Sequence, residues 1–293
     1  MLFTITLKNL KMSVKKEKKS SKKTTTTTTT TTVVTTTTIV DKSLDTHYLL
    51  VLDRSGSMQS CWNSTINGLN EQLGTIRALN KQYPEQRYFL TLVAFDSEIE
   101  TIVDDKPIDE VKDFDGTEFP PRGMTALHDA MGISITNLKA KISNKDKDSN
   151  SISTALVVVM TDGDENHSKE HNSKSIKKLI DELNETDAWT FSYMGANQNA
   201  VLTAGGFGIS AGNALNYAST TAGASVAYDT LTRGISSRAK VSNISYTTSA
   251  SIGAVTLDSL SLSNDTFLSD VVDGNTIGED LSNLKDVDAN NKA

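Results

Sequence analysis

Cysteine is almost missing from this chain of 293 residues: Cys61 stands alone, so no disulfide can form within it. A lone thiol suits a reducing compartment better than an oxidising one, and a cytoplasmic protein is expected. Four prolines and eight phenylalanines exclude a proline-rich scaffold and an aromatic-rich one. No apolar run approaches the ~20 residues that span a bilayer. The opening Met1–Leu10, interrupted by Lys8 and Asn9, is too short and too broken for an export signal. A formal net charge of −7 suits a phosphate backbone poorly, because such a backbone rewards clustered cations; no nucleic-acid partner is expected.

What is present is unevenly placed. Hydrophobic residues make up 37% and charged residues 22%, enough for a soluble globular centre with appendages. Residues 1–45 form a basic and poly-threonine arm, with lysines from Lys8 to Lys23 running into Thr24–Thr32 and Thr35–Thr38. The arm has little apolar surface to bury and is expected to be disordered or to dock in an assembly. Residues 241–293 read as a Ser- and Asp-rich acidic tail, in which Val255–Leu257 and Leu260–Leu262 could form short strands.

Between arm and tail, from residue 46 to 240, the texture is that of a folded domain. Tyr48–Leu52 is a continuous apolar run, as in a strand buried on both faces of a parallel sheet. Trp62, Ile66, Leu69, Leu73, Ile76 and Leu79 recur at helical spacing and stop before Pro84. Tyr88–Phe95 and Glu98–Val103 read as two strands close enough to pair antiparallel, and 104–124 as an acidic loop. A helical stripe from Leu127 to Ile142 precedes Thr154–Met160, the most strand-like run in the chain. Ile176–Leu183 marks a helix, Trp189, Phe191 and Tyr193 a strand, and about Ala222 to Arg238 a last helix. Alternating strands and helices predict an α/β, Rossmann-like doubly wound sheet, mostly parallel with one antiparallel edge strand and helices on both faces. In such a sheet ligands bind beyond the carboxyl ends of the strands.

Three stretches fall at that end. The first strand leads into Asp53-Arg54-Ser55-Gly56-Ser57, the second helix is preceded by Gly123-Met124-Thr125, and the strongest strand ends in Thr161-Asp162-Gly163. Together they offer three neutral hydroxyls and two carboxylates. An all-oxygen set of this kind suits a hard cation such as Mg²⁺, with Mn²⁺ or Ca²⁺ also acceptable. Two carboxylates balance the ion's charge, while neutral hydroxyls leave it able to attract one more anionic ligand.

Asp-x-Ser-x-Ser, a later threonine, and Asp-Gly after a hydrophobic strand resemble the metal-ion-dependent adhesion site of von Willebrand factor A-type domains and integrin I-domains. All five family positions are filled, by Asp53, Ser55, Ser57, Thr125 and Asp162. The resemblance implies that Ser55 and Ser57 ligate the ion directly and that Thr125 does so directly or through water. It implies that Asp53 and Asp162 act mainly through bound water, and that an Asp or Glu of a protein partner completes the shell. Gly195–Ala200 resembles the stretch after the fifth strand in bacterial and phage-type members. The function so implied is a cation-dependent, adhesion-type protein-interaction module rather than an enzyme.

Other readings stay open at this point. Asp53 as a phosphorylated nucleophile, as in haloacid-dehalogenase-like phosphatases, wants a second Asp two residues on, where Ser55 stands. A metal-dependent hydrolase lacks a positioned general base, since no histidine matches a catalytic motif. The chain could instead be a structural component of a virion or other large assembly, docking through residues 1–45 and 241–293 by strand addition. Arg54, Met124 and Asp164 are the expected rim of a partner-binding surface, Arg54 either steering acidic partners or simply solvated. Asp164 and Glu165 read as a solvated turn, Asp129 as a local hydrogen-bonding group near its helix start, and His128 and His167 as surface residues. Gly205-Gly206-Phe207-Gly208 has the look of a phosphate loop but lacks its lysine and spacing.

Overall fold

A computed structural model describes residues 43–145, 151–186, 188–196, 198–251 and 267–268. The expected arm, up to residue 42, and the possible strands at 255–257 and 260–262 lie outside the described residues.

Six strands form one sheet: β1 (Ser43–Asp53), β2 (Gln86–Phe95), β3 (Ile99–Pro107), β4 (Ser151–Thr161), β5 (Trp189–Ala196) and β6 (Ala214–Tyr217). Their spatial order is β3-β2-β1-β4-β5-β6, with every neighbouring pair parallel except β2 and β3. The protein is thus α/β, with a doubly wound, mostly parallel sheet and one antiparallel edge strand. Leu52 lies opposite Met160, which sets the following residues Asp53 and Thr161 side by side at the carboxyl ends.

The helices are α1 (Trp62–Gln82), α2 (Leu127–Lys145), α3 (Ser173–Asn184), α4 (Ala200–Gly206) and α5 (Thr221–Ser251). Successive strand residues point to opposite faces. Tyr48, Leu50 and Leu52 of β1 therefore enter one core with Leu69 and Leu73 of α1 and Leu231 and Ile235 of α5. Leu49 and Val51 enter the other, with Met131 and Ile135 of α2 and Ile176 and Ile180 of α3. Each fully buried aliphatic side chain contributes roughly 1.5–3 kcal/mol of transfer free energy. Between these two cores the central strands are covered on both faces. In β5 the polar residues between the aromatics, Thr190 and Ser192, are buried too. The alternation there separates two covered faces rather than a dry face from a wet one.

Four expectations need correction. Ser43, Leu44 and Asp45 belong to β1 rather than to the arm, with Leu44 and Asp45 buried. Residues 104–107 continue β3 instead of opening the acidic loop. The short strand β6 was not anticipated; four residues are too few to show a period. The last helix continues to Ser251, well past Arg238 and into the expected tail. Its buried stripe goes on through Ser242, Tyr246 and Ser249, residues too small or too polar to register as a hydrophobic face. Phe267 and Leu268, also assigned to the tail, are buried. A Cβ on Gly234 of α5 would come 3.0 Å from Phe267 Cζ, and Leu268 N donates to Gly212 O at 3.1 Å. Among the described residues no helix is long and apolar enough to cross a membrane.

Candidate metal centre

The parallel strands β1 and β4 end side by side, and each ends in a hydroxyl- and carboxylate-bearing turn. After Asp53 the chain leaves the sheet, and Ser55 N folds back to donate to Asp53 Oδ1 at 2.6 Å. Thr161 Oγ1 of β4 donates to the other oxygen, Asp53 Oδ2, at 2.6 Å. Both oxygens of Asp53 are thereby engaged, and the carboxylate is fully buried. Ser55 Oγ and Ser57 Oγ stand 2.9 Å apart. Ser57 Oγ donates to Asp162 Oδ1 at 2.6 Å, joining the first turn to the end of β4.

Thr125 arrives from the loop before α2. Gly123 has a φ of +68°, a conformation open to glycine but strained for other residues, and its carbonyl accepts from Gly56 N at 3.3 Å. Thr125 itself is held by reciprocal bonds with Asn166: Thr125 N donates to Asn166 Oδ1 at 2.9 Å, and Asn166 N to Thr125 O at 3.0 Å. A Cβ added at Gly163 would lie 3.2 Å from Thr125 Oγ1 and 3.6 Å from Ser57 Oγ. The absent side chain leaves a cradle where all three turns meet. The five residues singled out in the sequence are brought together.

The electrostatics of the cluster are unbalanced. Asp53 and Asp162 receive hydrogen bonds from hydroxyls and one backbone N–H, and among the described residues neither takes part in an ion pair. Burial pushes the Asp53 carboxyl up to about 6, against the pull of its bonds from Thr161 and Ser55, and the charge of Asp162 adds to the rise. The donor set fits a hard divalent cation. The hydrogen of Ser57 Oγ is already given to Asp162, which leaves oxygen lone pairs free for an ion. Among the described residues no group of three or more His, Cys, Asp or Glu side chains is placed to hold a metal.

The expected rim divides. Met124 is 47% exposed, and Asp164 is exposed as well. Arg54 is not on the rim: it is 2% exposed, with Nε 3.0 Å from Asp96 Oδ2 and Nη1 2.7 Å from Glu100 Oε2. The carboxylates around the β2–β3 turn draw the guanidinium inward, away from any partner.

Glu165 is turned away from the centre and accepts from His128 N, His167 N, Ser168 N and Ser168 Oγ, fastening the loop after β4 to the start of α2. Asp129 reaches beyond its own helix and accepts from the N–H groups of Lys169, Glu170 and His171. Burial pushes its carboxyl up, but these three bonds prevail and hold it below the usual range. His128 is half-buried rather than fully on the surface: it packs edge-on against Phe207 at 5.5 Å, and burial lowers its pKa. Gly205–Gly208 closes α4 and carries no phosphate-loop geometry.

Two residues, one at the centre and one beside it, were not expected. Ser219, in the loop before α5, donates to Asp162 Oδ2 at 2.9 Å; nothing in its sequence context marks it. Asp96 follows directly on β2, and the rule that located Asp53 and Asp162 at carboxyl strand ends would have found it too.

No protein-family model matches the chain, and no curated protein matches it. Among solved structures it is similar to proximal thread matrix protein 1 from the mussel byssus, at 13% identity and a TM-score of 0.44, over 65% of this chain and 46% of that one. That mussel protein has also been solved with a zinc-occupied MIDAS motif. It is similar as well to the ArnB paralogue VWA2 from Sulfolobus acidocaldarius, at 15% identity and a TM-score of 0.40, over 66% and 45% of the two chains. A von Willebrand factor type A protein from Catenulispora acidiphila gives 12%, 0.42, 65% and 42% in the same order. The aligned part spans less than half the length of each. Likenesses of this strength carry no argument about function.

Proposed function

We propose that this chain is a von Willebrand factor A-type module with an intact metal-ion-dependent adhesion site, used for cation-dependent protein–protein interaction. The observation that carries it is the pair of buried carboxylates, Asp53 and Asp162, bonded only by neutral donors beside three converging hydroxyls. Buried charge without a counterion is costly, and a bound divalent cation removes the cost. Ser55, Ser57 and Thr125 would hold Mg²⁺, or Mn²⁺ or Ca²⁺, with Asp53 and Asp162 orienting the hydroxyls and bound water. When bound, the ion supplies an electrophilic position that an Asp or Glu side chain of a partner can fill. Exposed Met124 and Asp164 flank that position and would meet the partner's surface.

The role in this reading is non-enzymatic, which the packing of His128 on Phe207 supports. The lone, free Cys61 suits the cytoplasmic setting that this reading takes. The test is affinity capture from a lysate with Mg²⁺ present and elution by chelator, run beside Ser57→Ala. The expected result is a partner released by chelator and never captured by the folded variant. Capture that survives both treatments overturns the proposal.

A further inference from the structure

Asp96 touches none of the five donor residues, yet it ties together two of the turns that carry them. Its Oδ2 accepts from Arg54 Nε at 3.0 Å, inside the first turn, and from Arg122 Nε at 2.8 Å, at the head of the second. Its Oδ1 accepts from Glu98 N at 2.7 Å, which closes the β2–β3 turn around it. Its backbone carbonyl accepts from Ala126 N at 2.9 Å, next to Thr125. Arg122 N donates to Arg54 O at 2.7 Å, so the two turns also bond to each other beside the bridge. Arg54 and Asp96 are each 2% exposed, whereas Arg122 is 55% exposed.

We infer that Asp96 is a positioning residue for the centre, setting the distance between Ser55 and Ser57 on one turn and Thr125 on the other. The geometry excludes a ligand role, because both oxygens face the arginines and Glu98 N. A buried carboxylate bridging two arginines from separate turns fixes both turns at once, and neither turn has another charged anchor to the sheet among the ion pairs of the described residues, apart from Glu98 and Glu100 of the same hairpin. Outer groups of this kind govern metal affinity by holding ligands in place. The role in affinity rests on the metal reading above; the coupling of the turns does not.

Asp45 gives a matched control. It is equally buried and accepts two bonds from Arg87, both at 2.7 Å, but near the opposite end of the same strands. In the full chain, Asp96→Asn is expected to weaken Mn²⁺ binding about tenfold by titration calorimetry, while Asp45→Asn leaves it unchanged at a comparable loss of melting temperature. In chelator, hydrogen exchange of Asp96→Asn is expected to speed up together at 54–58 and 122–126 and to stay unchanged in 174–184. Arg122→Ala, which removes an exposed arm, should shift the second turn in the same sense if Asp96→Asn does not fold. Unchanged exchange in both turns overturns the proposal whatever the metal does. Faster exchange in both turns in a protein that binds no Mn²⁺ upholds the coupling and removes the metal reading alone.

Discussion

Towards the amino ends of β1 and β2, a buried acid and a half-buried one meet bases. Asp45 is gripped by Arg87 through two bonds at 2.7 Å, and Asp105 lies 2.6 Å from His47 Nδ1 and 3.0 Å from Lys145 Nζ. At the carboxyl ends of β1 and β4, Asp53 and Asp162 meet only hydroxyls and an amide. The acids near the amino ends have their charge closed by bases, as does Asp96 after β2, whereas Asp53 and Asp162 are left open. The difference shows in the acids themselves: burial pushes both up, but at Asp105 the bonds and charges of His47 and Lys145 win and hold it below the usual carboxylate range, whereas Asp53 rises to about 6. A site that must accept a cation cannot also contain one of the protein's own.

The largest effect expected is at the closed pair beside the open acids, Arg54 and Asp96. Arg54→Ala breaks a buried ion pair and should cost ~3 kcal/mol or more, read by denaturant unfolding in chelator. A loss near zero would show that the first turn does not depend on Asp96. The next test goes to the open charge itself. Asp162→Asn should leave stability in chelator unchanged or raised, because an uncompensated charge is removed. It should also abolish the ~2.7 kcal/mol gained by wild type at a hundredfold excess of Mg²⁺ over its dissociation constant. A clear loss in chelator would break the contrast between the two ends.

The smallest effect belongs to the closed end. Since Asp105 has a folded pKa below its unfolded value, near 3.9, the unfolded chain binds the extra proton as pH falls. The stabilisation is present above the unfolded value and is lost as pH drops through the folded one. Denaturation midpoints below pH 5 should therefore fall less steeply for Asp105→Asn than for wild type. Parallel curves would show that the His47 and Lys145 contacts do not govern the acid limb.

β1 and β4 were legible because each carries a continuous apolar run, β5 because its aromatics alternate, and the oxygen donors because they sit at strand ends or just before a helix. β6 escaped because four residues show no period, and the end of α5 because its buried face turns to serine and tyrosine at Ser242, Tyr246 and Ser249.

Local sequence thus determined the cores of β1 to β5 and of α1, α2, α3 and α5, and that Asp53, Ser55, Ser57, Thr125 and Asp162 share one end of the sheet. Only the tertiary structure decided that Arg54 points inward to Asp96, that Ser219 reaches Asp162 from a fourth loop, and that Asp129 binds the loop after β4. The physical reason is the range of the forces involved. Backbone preference and hydrophobic period act within a few residues, whereas the direction of a charged side chain is set by whatever partner the finished fold brings beside it.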